Sequence, residues 1–433
     1  MRGTFSRMEV YSKALRDLKT PQMMERFSRL YGHRDGELAR QLTRYTQLVK
    51  QHEDMFHATE ALYLISAPGR TEIAGNHTDH QNGRVLAAAV NLDMLAAVSP
   101  RQDDLVHIYS EGFPKLELDL ADLSVHADEK GTSAALVRGT AARMKELGMK
   151  IGGFDATVTS DVLSGSGLSS SAAYEVMMGA IFDALYNDFT EDPVLRAEIA
   201  QYAENVYFGK PCGLMDQMAS SVGGMVSIDF KAEPVIQPVT FGFADAGYSL
   251  IVVDTRASHD DLTDEYAAIR TEMSAVAELF GEKSLRMVRP EQVMQNIALI
   301  REKVNDRAAL RAIHFFNENN RVKQQLANIK HNDLGAFFSL IIESGNSSWM
   351  LLQNVHVAGS SQPLALALAI AEEMLKDRGA WRVHGGGFAG TTLNFVPNEL
   401  TGEFVKRMES VFGANCCYVL DVRPEGAAMV LKA

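Results

Sequence analysis

The chain has 433 residues, 46% hydrophobic and 22% charged, with a formal net charge of −13. That is an ordinary globular composition with material for large cores, and at roughly 100–200 residues per domain it predicts two or three domains. The acidic balance argues against nucleic acid, which asks for clustered Lys and Arg, but not against a nucleotide, which a few amides and one or two cations hold locally.

From the start, MRGTFSRMEVYSKAL lacks a continuous apolar run, so no secretory signal is expected. Residues 1–60 read as helical, with clear periodicity in ELARQLTRYTQLVKQ (Glu37 to Gln51). Strand-like runs then cluster from Leu62 to Val98, with VHIYS (Val106 to Ser110) close behind. A helix is predicted at Ser133 to Leu147, ended by Gly148, and FDATVTSDV (Phe154 to Val162) alternates like a strand. The apolar SAAYEVMMGAIFDALY (Ser171 to Tyr186) is long enough for a buried helix. Strand character returns at Gly224 to Phe230 and Tyr248 to Thr255, helical pattern fills Asp260 to about Ser348, and TTLNFVP and CCYVLDV are strand-like again. Strands and helices mix without regular βαβ alternation, which predicts an α+β fold of two lobes, 1–235 and 236–433. No apolar run approaches about 18 residues, so no membrane partner is expected. Cys212, Cys416 and Cys417 form no CxxC and no even framework, which points to a reducing cytoplasm.

Three loops carry chemistry. LSGSGLSSSAAYEV (Leu163 to Val176) sets two glycines and three serines ahead of a helix. A helix N-terminus offers free N–H groups and a positive dipole end to phosphate, and a first-turn hydroxyl can ligate Mg²⁺; a plain cap would need only one serine. The known nucleotide motifs fail: Gly209-Lys210 runs into Pro211, so there is no Walker A, and HRDG at His33 to Gly36 lacks the rest of a protein-kinase set. VHGGGFAGTTLNFV matches GxGxxG at Gly385, Gly387 and Gly390, but it opens into a β-branched strand rather than a helix. The expected structure there is a strand–loop–strand whose backbone comes close to another loop or a ligand. AENVYFGKPCGLMDQMASS carries Glu204 and Asp216 around a turn, either surface acids or the carboxylates a phosphoryl transferase needs.

GNHTDHQNG (Gly75 to Gly83) packs donors and acceptors between two apolar stretches. His77, Asp79 and His80 raise the question of zinc, but no HExxH or distant CxxC supports it. In an extended segment His77 and Asp79 would share one side and His80 the other. Short groups that both donate and accept fit a polyol better.

Together these segments resemble the galactokinases of the GHMP small-molecule kinase superfamily. APGRTEIAGNHTDHQNGRVL is similar to the galactokinase signature, GSGLSSSAA to the phosphate loop, AENVYFGKPCGLMDQ to the segment of the catalytic aspartate, ASHDDLTDEY to a tyrosine segment, and VHGGGFAGTTL to the third GHMP motif. The resemblance implies two α+β lobes with a site in the cleft between them, and an ATP- and Mg²⁺-dependent kinase for the anomeric hydroxyl of galactose. By the same match Asp216 would serve as base or electrostatic partner and Arg70 would steady the transferring phosphoryl. Asn76, His77, Asp79, Gly213 and Tyr266 would contact the sugar, Gly165, Ser166, Gly167, Leu168, Ser169 and Ser170 the triphosphate, and Ser171 and Glu204 the Mg²⁺. The chain departs from the pattern at Asn76, where the family has Glu, at His80-Gln81-Asn82-Gly83, at Leu163, and in a longer stretch before Ala67. A related sugar such as galacturonate or an amino or N-acetyl sugar is the alternative substrate. A catalytically silent galactose-binding regulator is the alternative function, against which Arg70, Asp216, the serine run and Glu204 all stand intact. The oligomeric state, monomer or dimer, is left open.

Overall fold

The computed structural model describes residues 7–56, 58, 60–162, 167–210, 212–257, 262–355, 359–388 and 390–433. The apolar stretches around the polar loop form two long antiparallel strands, β1 (Tyr63–Ala74) and β2 (Arg84–Pro100). β1 is buried along its whole length, and its register against β2 shifts between Pro68 and Arg70. Such an irregularity bends a strand and re-aims the next side chain, here Arg70.

β3 (Leu105–Ser110), β4 (Leu116–Asp119), β5 (Phe154–Ser160), β6 (Met225–Asp229) and β7 (Val235–Val239) extend this sheet. The last strand of the chain, β12 (Ala428–Lys432), completes its far edge against β1, in the order β12-β1-β2-β5-β3-β4. β2 is long enough to pair β6 along its first half and β5 along its second. A second sheet has the order β11-β8-β10-β9, formed by β8 (Tyr248–Asp254), β9 (Ala380–His384), β10 (Thr391–Pro397) and β11 (Cys417–Leu420). The expected cut at 235 therefore does not divide the sheets: β7 starts at 235 itself, β12 lies far beyond it, and both pair into the first sheet. Edge strands with open N–H and C=O groups recruit whichever segment can reach them.

Helices α1 (Arg7–Asp17), α2 (Pro21–Tyr31) and α3 (Glu37–Met55) bear out the helical start of the chain. They pack Phe27, Tyr31, Tyr45 and Leu48 onto Leu64, Leu95 and Ala97 of the first sheet. Asp93 of β2 is fully buried beneath them. It accepts hydrogen bonds from Tyr31 Oη (2.6 Å), Arg44 Nη1 (2.5 Å), Arg423 Nη1 (3.0 Å) and Ser66. A buried carboxylate needs this full set of partners, and the set ties both ends of the chain to the central strands. Burial pushes Asp93 up, but the two arginines bring it below its ordinary value.

α4 (Ser133–Glu146) ends as expected, with Gly148 at φ 81° and Met149 N–H donating to Met144 O at 3.0 Å. α5 (Ser170–Tyr186) is the buried apolar helix, followed by α6 (Pro193–Tyr202) and α7 (Met215–Val222). α8 (Thr263–Leu279) opens the expected helical region, which continues through α9 (Pro290–Gln295), α10 (Ile297–Lys303), α11 (Asp306–Lys330) and α12 (Leu334–Ser347). α13 (Pro363–Leu375) and α14 (Thr401–Phe412) back the second sheet. Among the described residues, no helix is long and apolar enough to cross a membrane.

Candidate active site

α5 starts at Ser170 and α7 at Met215, and both N-termini face one cleft of about 470 Å³. Ser169 precedes α5 in a left-handed conformation (φ 60°), which turns the chain into the helix. Asp216 sits in the first turn of α7 and meets Arg70 of β1 in a forked pair, Nε–Oδ1 2.7 Å and Nη2–Oδ2 2.7 Å. Ser169 Oγ also donates to Asp216, and Arg70 Nη1 donates to Gly167 O at 2.5 Å. Asp216, Arg70 and the Gly167–Ser169 backbone and side chains are thus one hydrogen-bonded unit. Burial pushes Asp216 up, yet Arg70 and Ser169 outweigh it and hold the carboxyl below its ordinary value.

Asp79 lines the same cleft, and a Cβ at Gly213 would fall 2.0 Å from Asp79 Oδ2. Only glycine lets that backbone pass the carboxylate. Burial, with the like charge of Asp216, raises Asp79 to about 6. Because its folded value lies above the ordinary 3.8, ionised Asp79 opposes folding. That penalty is absent below about pH 4, grows as pH rises, and is complete above about pH 6. Asp79→Asn should therefore raise Tm at about pH 8 and leave it unchanged near pH 4. Equal shifts at both pH values in thermal unfolding would contradict this.

Glu204, on a π-helical turn Ala203–Phe208, is buried at the cleft's far corner. It lies 3.4 Å from Lys210 Nζ and accepts from Gln217 Nε2 at 2.8 Å. The same amide donates to Glu175 Oε2 at 2.9 Å. Burial, then the charge of Glu204, pushes Glu175 above its ordinary value. Ser171 lines this cleft from the first turn of α5.

Of the expected residues, Arg70, Asp79, Gly167, Ser169, Ser170, Ser171, Glu204, Gly213, Asp216 and Tyr266 line the one cleft. Gly165 and Ser166 lie outside the described residues, as does His259 of the tyrosine segment. Leu168 is buried, and its carbonyl accepts Arg70 N–H at 3.0 Å. Asn76 is not on the cleft wall. It is fully buried, and its amide donates to Glu72 Oε1 (3.1 Å) and Gly385 O (2.7 Å) while accepting from Ser348 Oγ (3.1 Å) and Asn354 Nδ2 (3.0 Å). Both donors and both lone pairs are spent, so Asn76 joins β1 to the third glycine loop. His77 is also off the wall, donating from Nε2 to Gly386 O at 3.0 Å. The extended reading of this loop fails: His77 has φ 56° and Asp79–Gln81 form a 3₁₀ turn. His80 is accordingly turned edge-on to His77, with ring centroids 5.7 Å apart.

The third loop is a hairpin turn between β9 and β10, as the β-branched sequence after it required. A Cβ at Gly387 would fall 2.0 Å from Asn354 O, and Tyr266 Oη donates to Gly387 O at 2.8 Å. The sequence reading missed Lys210, Gln217, His384 and Thr391, which also line the cleft. All four lie inside the segments already singled out, AENVYFGKPCGLMDQ and VHGGGFAGTTL, which was the available signal.

The comparisons with known proteins agree with this geometry. The galactokinase galactose-binding signature matches residues 50–100, and the GHMP kinases N-terminal domain matches residues 135–224. A galactokinase of Glaesserella parasuis is 32% identical over 348 residues, 77% of this chain and 85% of that protein. Galactokinases of Actinobacillus pleuropneumoniae and Streptomyces coelicolor are each 32% identical over 81% of this chain, covering 90% and 88% of their own length. The crystal structure of Lactococcus lactis galactokinase complexed with galactose superposes with a TM-score of 0.78 at 23% identity, covering 89% of this chain and all of that one. The Methanococcus jannaschii mevalonate kinase follows the same fold more loosely, with a TM-score of 0.60 at 14% identity, over 83% of this chain and 98% of its own. With Arg70 inside one matching signature, Asp216 inside the other and relatives aligned over most of its length, the chain belongs to the galactokinase family of the GHMP kinases.

Proposed function

We propose that the protein transfers the γ-phosphoryl group of ATP to the anomeric hydroxyl of galactose, giving galactose 1-phosphate and ADP. The observation that carries this reading is the forked Arg70–Asp216 pair between a serine-rich helix start and the Asp79–Gly213 wall. Phosphoryl transfer asks mainly for positioning and charge stabilisation. In this reading ionised Asp216 accepts or electrostatically steadies the proton of the anomeric hydroxyl as its oxygen bonds to phosphorus and the bond to ADP breaks. Arg70 offsets negative charge on the transferring group. Asp79, Gly213 and Tyr266 hold the sugar, and Gly167, Ser169 and Ser170 face the triphosphate.

Ser171 and Glu204 would hold Mg²⁺, and the donor set fits that ion. Both supply hard oxygens, and near Glu204 the Glu175 Oε1 and Gln217 Oε1 atoms are buried with no partner among the described residues. Bound there, Mg²⁺ would neutralise phosphate charge. The cysteines, all free, fit a reducing cytoplasm.

A panel of free sugars with Mg-ATP tests the substrate, with product position read by NMR. Galactose is expected to give the highest kcat/KM, ahead of galacturonate, galactosamine and N-acetylgalactosamine. Weak turnover of galactose beside strong turnover of another sugar would replace the substrate, and no ADP release with any sugar would favour a silent sugar-binding regulator.

A further inference from the structure

We propose that Thr391 binds a phosphate oxygen of the nucleotide through its hydroxyl proton, and that His384 is the positioning residue that aims that proton. This rests on the kinase reading and adds to it a donor from the opposite lobe. His384 ends β9 and Thr391 begins β10, and the two stand directly across the ladder from each other. Both are almost fully buried, yet both line the cleft.

The hydrogen bonds leave one arrangement of protons. The backbone N–H of Glu72 can only donate, and it reaches His384 Nε2 at 3.2 Å. That nitrogen therefore carries no proton, and Thr71 Oγ1 donates to it as well, at 3.0 Å. The ring must then carry its proton on Nδ1. Burial, followed by the charges of Arg70 and Arg382, independently holds the ring neutral. Nδ1 lies 3.0 Å from Thr391 Oγ1, so the N–H donates and the hydroxyl accepts. The hydroxyl's own proton has to point elsewhere, and no acceptor for it exists among the described residues.

What lies in front of it is the phosphate loop. A Cβ placed on Gly167 would fall 2.4 Å from Thr391 Oγ1 and 3.0 Å from His384 Nδ1. The loop backbone thus runs against the hydroxyl, and Gly167 O is already taken by Arg70. An unspent donor between a guanidinium and a helix N-terminus calls for an acceptor-only anion. A phosphoryl oxygen meets that demand. A sugar hydroxyl would face Asp79 and Gly213.

The test compares binding of ADP and of a non-hydrolysable ATP analogue by calorimetry, with kcat/KM for sugar and for ATP. Thr391→Val keeps the side-chain shape and removes the proton. It is expected to weaken the ATP analogue about tenfold or more, with the KM for sugar within about twofold. Thr391→Ser should recover most of the loss, and His384→Asn should show part of it. Unchanged nucleotide binding in Thr391→Val overturns the proposal, as does a loss confined to the sugar or shared equally by both ligands. If Thr391→Val does not fold, Thr391→Ala reads the same ratio. Because binding is measured without turnover, a wild-type protein that bound nucleotide but phosphorylated no sugar would defeat the kinase reading and still test Thr391.

Discussion

Asp216→Asn should lower kcat by about 10³-fold while leaving nucleotide affinity within about threefold. The change is nearly isosteric, so it isolates charge. Wild-type Asp216 is held below the ordinary carboxylate value by Arg70 and Ser169 against the opposing effect of burial, and so is ionised throughout the neutral range. Asparagine can neither take a proton nor balance Arg70. The pH profile separates the two acids of the cleft. Asp79 stands at about 6, so the acid limb of wild-type kcat/KM for sugar should fall near that value, whereas Asp216 contributes none there. Asp216→Asn with more than about a tenth of wild-type kcat would remove Asp216 from the reaction.

Arg70→Met should cost a similar factor in kcat, because the cation that steadies the transferring phosphoryl is lost. It should also destabilise the fold by about 1–3 kcal/mol, since it leaves the partly exposed Asp216 carboxylate without its forked partner. Arg70→Lys returns a charge but not the fork, and should recover only part of either loss. The Arg70→Met/Asp216→Asn double variant distinguishes folding from chemistry. Its loss of stability in urea unfolding should be smaller than the sum of the single losses, because neither charge is left unpaired, while kcat is not rescued. Additive stability losses would mean that the two side chains do not depend on each other.

Much of this site was legible before any coordinates. Phosphate loops, acidic turns and sugar loops announce themselves because their chemistry needs particular residues within a few positions of one another. The strand after the third glycine loop follows from its β-branched residues, and the serine run stands directly at the start of α5. The helical start of the chain was equally plain from its periodicity, but its seat was not. Asp93 looks like an ordinary polar member of an alternating strand, and its partners Arg44 and Arg423 stand 49 and 330 positions away.

Asn76 shows the limit most clearly. Its place beside His77 suggested a shared sugar contact, and as a replacement for the family's Glu it suggested a changed substrate. In the folded chain its amide is spent on Glu72, Gly385, Ser348 and Asn354. The sequence by itself determined the family and the two-lobed α+β class, because those depend on short-range patterns. Tertiary structure decided which side chains of each loop face the cleft and which are struts behind it. It also decided that His384 and Thr391 share that cleft with Arg70. Burial and hydrogen-bond saturation are properties of the packed chain, set by groups hundreds of residues apart.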